Sequence, residues 1–237
     1  MPKTTDAGLR VLAFDVFGTV VDWHGSIARE VTALGLAVDG HEFALAWRAG
    51  YAPAMQRVAR GELPWTKIGV LHRMILDQLL ERFAIRGLDE PARQHLNRIW
   101  HRLDAWPDSV AGLARLKRRF TICTLSNGNL GLLSDMAKHA GLPWDCLLSA
   151  EVFQKYKPDP ATYLGVADVF DVQPHQVMMV AAHDWDLHAA HALGLRSAYV
   201  ERPFEYGATA ESKATPALPS DSLRVRDLVE LAEQLDC

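Results

Sequence analysis

Short apolar runs alternate with amphipathic stretches along most of this chain, and the alternation changes character once. Val11-Leu12-Ala13-Phe14 is a continuous apolar run, the pattern of a strand buried on both faces, within a first strand over 10–16. From about 23 to 104 no convincing strand appears. Apolar residues instead recur at helical spacing, in Ile27-Ala28…Val31…Leu34 and in Leu71…Met74-Ile75…Leu79. Gly61-Glu62-Leu63-Pro64 and Arg86–Pro91 punctuate that region as loops. Strands and helices then alternate. A helix is predicted over 110–118, a strand over 120–125, a helix over 130–140 closed by Gly141, and a strand over 146–149. A helix over 161–170, a strand over 177–181, a helix over 187–193 ended by Gly194, and a strand over 197–200 follow. Residues 207–220, rich in Ala, Ser, Thr and Pro, predict a surface loop before a final helix.

Strands separated by helices imply a parallel, doubly wound, Rossmann-like α/β sheet. The helical stretch between the first strand and the rest predicts an α-helical cap over 23–104, inserted into a core made of 1–22 and 105–237. The 237 residues suit one core plus such an insertion, and 49% hydrophobic residues supply a substantial interior. A net charge of −4 without a long basic run argues against nucleic acid or an anionic membrane surface as a partner. Cys123, Cys146 and Cys237 form no CxxC or metal-finger spacing and no disulfide framework, which fits a reducing cytoplasm. Met1-Pro2-Lys3-Thr4-Thr5 lacks an apolar signal segment, and no apolar run reaches the roughly 20 residues needed to span a bilayer.

Four polar clusters follow apolar strands or open helices. They are Asp15 with Gly18 and Thr19, Ser126-Asn127-Gly128, Lys157-Pro158-Asp159-Pro160, and His183-Asp184-Trp185-Asp186. In a doubly wound sheet these ends converge on one crevice. Two residues after Asp15 stands Phe17, which can neither donate nor accept a proton, so Asp15 reads as a nucleophile without an acid beside it. Thr19 is placed either to position Asp15 or to cap the next segment. Ser-Asn-Gly, with its exposed backbone amides, can hold an anion.

This order of motifs resembles the haloacid dehalogenase superfamily over essentially the whole chain, and within it the type II L-2-haloacid dehalogenases. Phosphatases of that superfamily carry a second Asp where Phe17 stands and a Mg²⁺-ligating Asp where Ala182 stands. The resemblance therefore implies release of halide, which needs neither an acid nor a metal, and no cofactor. It implies that Asp15 attacks C2 of a short 2-haloacid to form an ester, taking S-substrate to R-product. Lys157 would keep Asp15 ionised. Ser126, with backbone amides near Val16, Phe17 and Asn127, would hold the substrate carboxylate. Arg48, after Trp47, would receive the halide together with Asn127 and an aromatic such as Trp65, for which helix packing is an equal reading. Tyr163 matches a family active-site tyrosine, its alternative being packing within an amphipathic helix. Asp186 would activate water for ester hydrolysis or orient Lys157. The chain departs from the family at His183, which stands where an Asn is usual. It would activate water, bind halide or serve passively, and makes fluoroacetate a substrate to test. Asp184 reads as an exposed helix-start acid. His24, His101, His188 and His191 read as surface histidines, not metal ligands. The resemblance also implies a homodimer, with Trp23, Trp47, Trp65 and Trp100 serving an interface or a core. Two other readings stay open: a Mg²⁺-dependent phosphatase for phosphoglycolate-like substrates, and a non-catalytic binding protein on the same scaffold.

Overall fold

A computed structural model describes residues 8–207 and 216–237. The segment Met1–Thr5 and most of the loop expected over 207–220 lie outside the described residues. The strands are β1 (Val11–Phe14), β2 (Val21–Asp22), β3 (Asp104–Ala105), β4 (Thr121–Ser126), β5 (Cys146–Ser149), β6 (Val177–Ala181), β7 (Arg196–Val200) and β8 (Leu223–Val225). Six of them form one parallel sheet in the order β5-β4-β1-β6-β7-β8. β1 lies between β4 and β6, with Phe14 opposite Thr124 on one side and Val180 on the other. From β1 the chain runs to β4 and β5 on one side of the sheet and then crosses back to β6, β7 and β8 on the other, so the carboxyl end of β1 is the switch point where such sheets place their ligands.

The helices are α1 (Trp23–Ala33), α2 (Gly40–Ala49), α3 (Tyr51–Ala59), α4 (Ile68–Arg82), α5 (Glu90–Asn97), α6 (Ser109–Leu116), α7 (Leu130–Ala140), α8 (Ala150–Phe153), α9 (Pro160–Val169), α10 (Asp184–Ala192) and α11 (Leu228–Gln234). Side chains alternate along β1. Leu12 and Phe14 join a cluster with Leu113 of α6, Leu132 and Met136 of α7 and Leu228 of α11. Val11 and Ala13 face Tyr163 and Val166 of α9 and Leu187 and Ala190 of α10. Helices on both faces explain why β1 and β6 are apolar at every position. Asp22, Asp39, Asp89, Asp159 and Asp227 each accept a backbone N–H at a helix N-terminus, and Gly141 closes α7 in the left-handed conformation at φ 66°.

Helices α1–α5 lie between β2 and β3, which pair antiparallel, Val21 with Ala105 and Asp22 with Asp104. This ribbon ties together the chain's exit to the helical segment and its return. Two-residue strands carry no periodicity, so the sequence does not announce them. Phe17, Val20 and Val21 share one apolar cluster with Trp23, Phe43, Trp47, Leu71 and Trp100 of the helical segment. Trp23, Trp47 and Trp100 are fully buried. Of the two readings for these tryptophans, three are therefore core and unavailable to an interface. β8 was also not foreseen. It adds three residues beside β7, pairing Val200 with Val225. Helix α10 begins at Asp184, three residues before the expected start, with His183 as the residue before its first turn.

Candidate active site

Asp15 is the first residue beyond β1, and its N–H donates to the Val180 carbonyl at 3.0 Å, so the strand hands it directly into the crevice. The chain then turns back through Gly18, whose φ of +85° is left-handed and suits glycine. That turn brings the Thr19 hydroxyl to donate to Asp15 Oδ2 at 2.9 Å, while the same oxygen of Thr19 accepts the Ala182 N–H at 2.9 Å. Thr19 thus positions Asp15 and ties the ends of β1 and β6 together; the cap of α1 is Asp22 instead.

Lys157 Nζ donates to Asp15 Oδ1 at 3.0 Å and also to Asp186 Oδ2, in a contact buried on all sides. Asn127 fixes the lysine's backbone, since its Oδ1 accepts the Lys157 N–H at 2.7 Å. The Asn127 amide nitrogen faces Met55 Sδ at 3.4 Å and the Lys157 carbonyl at 3.5 Å. Ser126, fully buried, accepts the Gly128 N–H at 3.0 Å in the turn after β4. The Tyr163 hydroxyl donates to Asp186 Oδ1 at 2.6 Å, so this tyrosine reaches the site as well as packing under the sheet. Tyr163→Phe removes that donor from a charged acceptor, and kcat is expected to fall about 10–100-fold with the fold intact, as steady-state kinetics would read.

Burial works against the charge on Asp15, yet the adjacent Lys157 and His183 outweigh it and hold the carboxyl well below its usual range. For Lys157 burial is again opposed by Asp15 and Asp186, which raise it above its ordinary value. Asp186 goes the other way. Burial lifts it, the charge of Lys157 pulls it back, and nearby Asp15 raises it again, leaving it above normal. Two carboxylates about one lysine are thereby made unequal, one firmly ionised and one disposed to take a proton.

His183 completes the cluster. Its Nδ1 lies 3.0 Å from Asp15 Oδ2 and its Nε2 lies 2.9 Å from Glu205 Oε1. Glu205 is buried in the turn after β7 and also accepts the Trp23 indole N–H at 3.2 Å. Glu205 is the member of this site that sequence reading missed. The strand-end rule that finds the other clusters points to the segment after 197–200, but it does not choose between Glu201 and Glu205.

Arg48, at the end of α2, stands over the rings of Tyr51 at 4.4 Å and Trp23 at 5.8 Å. Its Nε is buried without a hydrogen-bond partner among the described residues. Burial pushes the Tyr51 hydroxyl up to about 12, and that hydroxyl feels the charges of Arg48, Asp15 and Lys157 together, so Arg48 borders the same site. Trp65 packs on Tyr156 at 4.8 Å between ring centres. Both line a cavity of about 800 Å³ with Met55, Lys157 and Trp185. Asp15 is not in its wall, so Lys157 joins the cavity to Asp15. Val16 and Phe17 are buried, and Phe17 meets Trp100 edge-on at 5.6 Å.

Among the histidines, His188 is exposed, and its Nε2 lies 2.9 Å from the Ala217 carbonyl. His101 pairs with Asp135 at 2.8 Å. His24 departs from the surface expectation. It is 2% exposed, beneath Gly207 and against His41. Asp184 is exposed in the first turn of α10, as read. The residues do not fit a Mg²⁺ site of the superfamily's phosphatase type. Phe17 and Ala182 occupy the positions of an acid and a ligand, and no group of three or more His, Cys, Asp or Glu side chains among the described residues is placed to hold a metal ion. Among the described residues no helix is long and apolar enough to cross a membrane.

Comparison with known proteins agrees with this geometry. A family model for haloacid dehalogenase-like hydrolases matches residues 9–194. The (S)-2-haloacid dehalogenase 1 of Pseudomonas sp. (strain CBS-3) is 30% identical over 212 residues, covering 84% of this chain and 88% of that protein. Among solved structures, the L-2-haloacid dehalogenase PA0810 is 44% identical with a TM-score of 0.91, covering 96% of this chain and 99% of that one. The defluorinating L-2-haloacid dehalogenase Rha0230 is 42% identical with a TM-score of 0.91, covering 97% and 96%. With the motif order, the sheet and the site in agreement, the chain belongs to the haloacid dehalogenase-like hydrolases.

Proposed function

We propose that this chain hydrolyses short 2-haloalkanoic acids to 2-hydroxy acids through an ester on Asp15, without a metal. One observation carries the reading: a buried carboxylate is held ionised by Lys157 and His183, with Phe17 where a phosphatase needs its acid. The likeness to haloacid dehalogenases, one of them defluorinating, supports the substrate class and brings fluoroacetate within it.

Oδ2 of Asp15 already faces two side-chain groups, Thr19 and His183, so Oδ1 is the oxygen with a lone pair to spare. It attacks C2, the carbon–halogen bond breaks, and S-substrate becomes R-product by inversion. Ser126 and the amides near Val16, Phe17 and Asn127 hold the substrate carboxylate. Arg48, with Asn127 and Trp65, receives the halide; the buried unpartnered Nε suits an anion. Asp186, disposed to accept a proton, activates the water that hydrolyses the ester, and Tyr163 and Lys157 orient it. Residues 23–104 act as the cap over this crevice. The protein works in the cytoplasm as a homodimer, which light scattering would read as twice the monomer mass.

The test is halide release from 2-chloropropanoate and fluoroacetate in EDTA, with a phosphate ester and Mg²⁺ in parallel. Halide from either acid in EDTA is the expected result. Phosphate release that needs Mg²⁺, with no halide, would replace this reading with a phosphatase. Haloacid binding with neither product would make the chain a binding protein.

A further inference from the structure

His183 stands between two carboxylates. Its Nδ1 faces Asp15 and its Nε2 faces Glu205, and ionised carboxylates only accept hydrogen bonds, so an imidazolium with both N–H groups satisfies both contacts. Asp15 alone does not secure that state. Once its Oδ1 is esterified, Asp15 is neutral, and a buried imidazolium without another anion would lose its proton. Glu205 lies on the far side of the ring, at Nε2, away from the Asp15 oxygen that carries the ester. Its place is built. The Trp23 indole donates to it at 3.2 Å, and a Cβ at Gly18 would collide with its carboxylate, so the bare turn that presents Asp15 and Thr19 also makes room for Glu205.

We propose that Glu205 is a positioning residue for ester hydrolysis, holding His183 charged so that its Nδ1–H, with the Thr19 hydroxyl, stabilises the oxyanion that forms on Asp15 Oδ2. This rests on the dehalogenase reading above. Water attacks Asp15 Cγ and gives one proton to Asp186, and the electron pair of the C=O bond moves to Oδ2. The pair returns as the Cγ–Oδ1 bond breaks. The departing alkoxide takes a proton from Lys157, which recovers it from Asp186, and the remaining carboxyl proton leaves to solvent. His183 donates hydrogen bonds throughout and transfers nothing. A neutral ring with its Nδ1 lone pair towards Oδ2 would oppose the same step.

The charged groups facing His183 are Asp15 beyond β1 and Glu205 beyond β7. Against the burial that disfavours its charge, they raise it to about 10. The test is rapid-quench mass spectrometry of the enzyme turning over 2-chloropropanoate. In Glu205→Gln ester hydrolysis is expected to slow more than halide release, so that kcat falls about 10–100-fold and the Asp15 ester accumulates. The alkaline limb of kcat moves towards neutrality, a shift that mere loss of packing would not cause. In a His183→Asn background Glu205→Gln is expected to add little. Unlabelled-variant folding is not required for one arm: nitrogen NMR of the wild-type ring at about pH 8 should show both nitrogens protonated. A neutral ring there overturns the proposal. So does a Glu205→Gln enzyme with wild-type kcat, ester occupancy and pH profile while the wild type releases halide. A wild type that releases no halide overturns the dehalogenase reading, and the proposal with it.

Discussion

Asp15→Asn is expected to lower halide release from 2-chloropropanoate by at least about 10⁴-fold, to the limit of detection. An amide has no anionic lone pair to displace halide, and no other carboxylate in the crevice can substitute. Asp186 lies on the opposite side of Lys157, with both of its oxygens engaged by Lys157 and Tyr163. The change leaves the fold standing, because the two cations that face Asp15 keep other partners: Lys157 has Asp186 and His183 has Glu205. A halide electrode and a thermal melt, run side by side, check both halves. Halide release near the wild-type rate would mean that Asp15 is not the nucleophile.

Lys157→Met is expected to cost both activity and stability. Its charge lies between Asp15 and Asp186, and all three groups are buried. Removing one member of a buried ion cluster typically costs about 3–5 kcal/mol, because the partners stay desolvated without compensation. The penalty depends on pH. Burial raises the Asp15 carboxyl, but Lys157 and then His183 pull it below its unfolded value. Its contribution is therefore present above that unfolded value and lost as pH falls through the folded one. The Lys157 ammonium is raised despite its burial, so its contribution is present below its unfolded value and lost as pH rises through the folded one. Wild type should thus exceed Lys157→Met most across the neutral range, and the gap should close towards acid as one of the two stranded carboxyls takes up a proton. Urea midpoints at neutral and acid pH measure this. Halide release falls about 10²–10⁴-fold over the same comparison, since the nucleophile is no longer held ionised. Equal midpoints at neutral pH would show that the lysine charge is not what keeps the two carboxyls compatible.

The amino-acid sequence by itself determined the alternation of strand and helix and the place of Asp15 at the end of its strand. Val11–Phe14 is apolar at every position because helices cover both faces of its sheet, and that is a local property of the run. Asp15, Lys157 and Asp186 could be named in advance for the same reason. Each follows or opens an element whose type is written in its own residues, and parallel strands carry such ends to one edge. What lies opposite a side chain is not local. Tyr163 sits at a helix position that also suits packing, and only the approach of α10 gives its hydroxyl to Asp186. His24 has an unremarkable sequence neighbourhood, and its burial comes from Gly207 and His41 packed against it. Strands β2, β3 and β8 are two or three residues long and exist because a partner strand lies beside them. His183 is the sharpest case. Its identity is in the sequence, but its charge is set by Glu205, 22 residues further on and across β7, where the tertiary structure brings a second carboxylate to the ring. Periodicity reports which face a residue is on; its protonation state depends on what burial and packing put against that face.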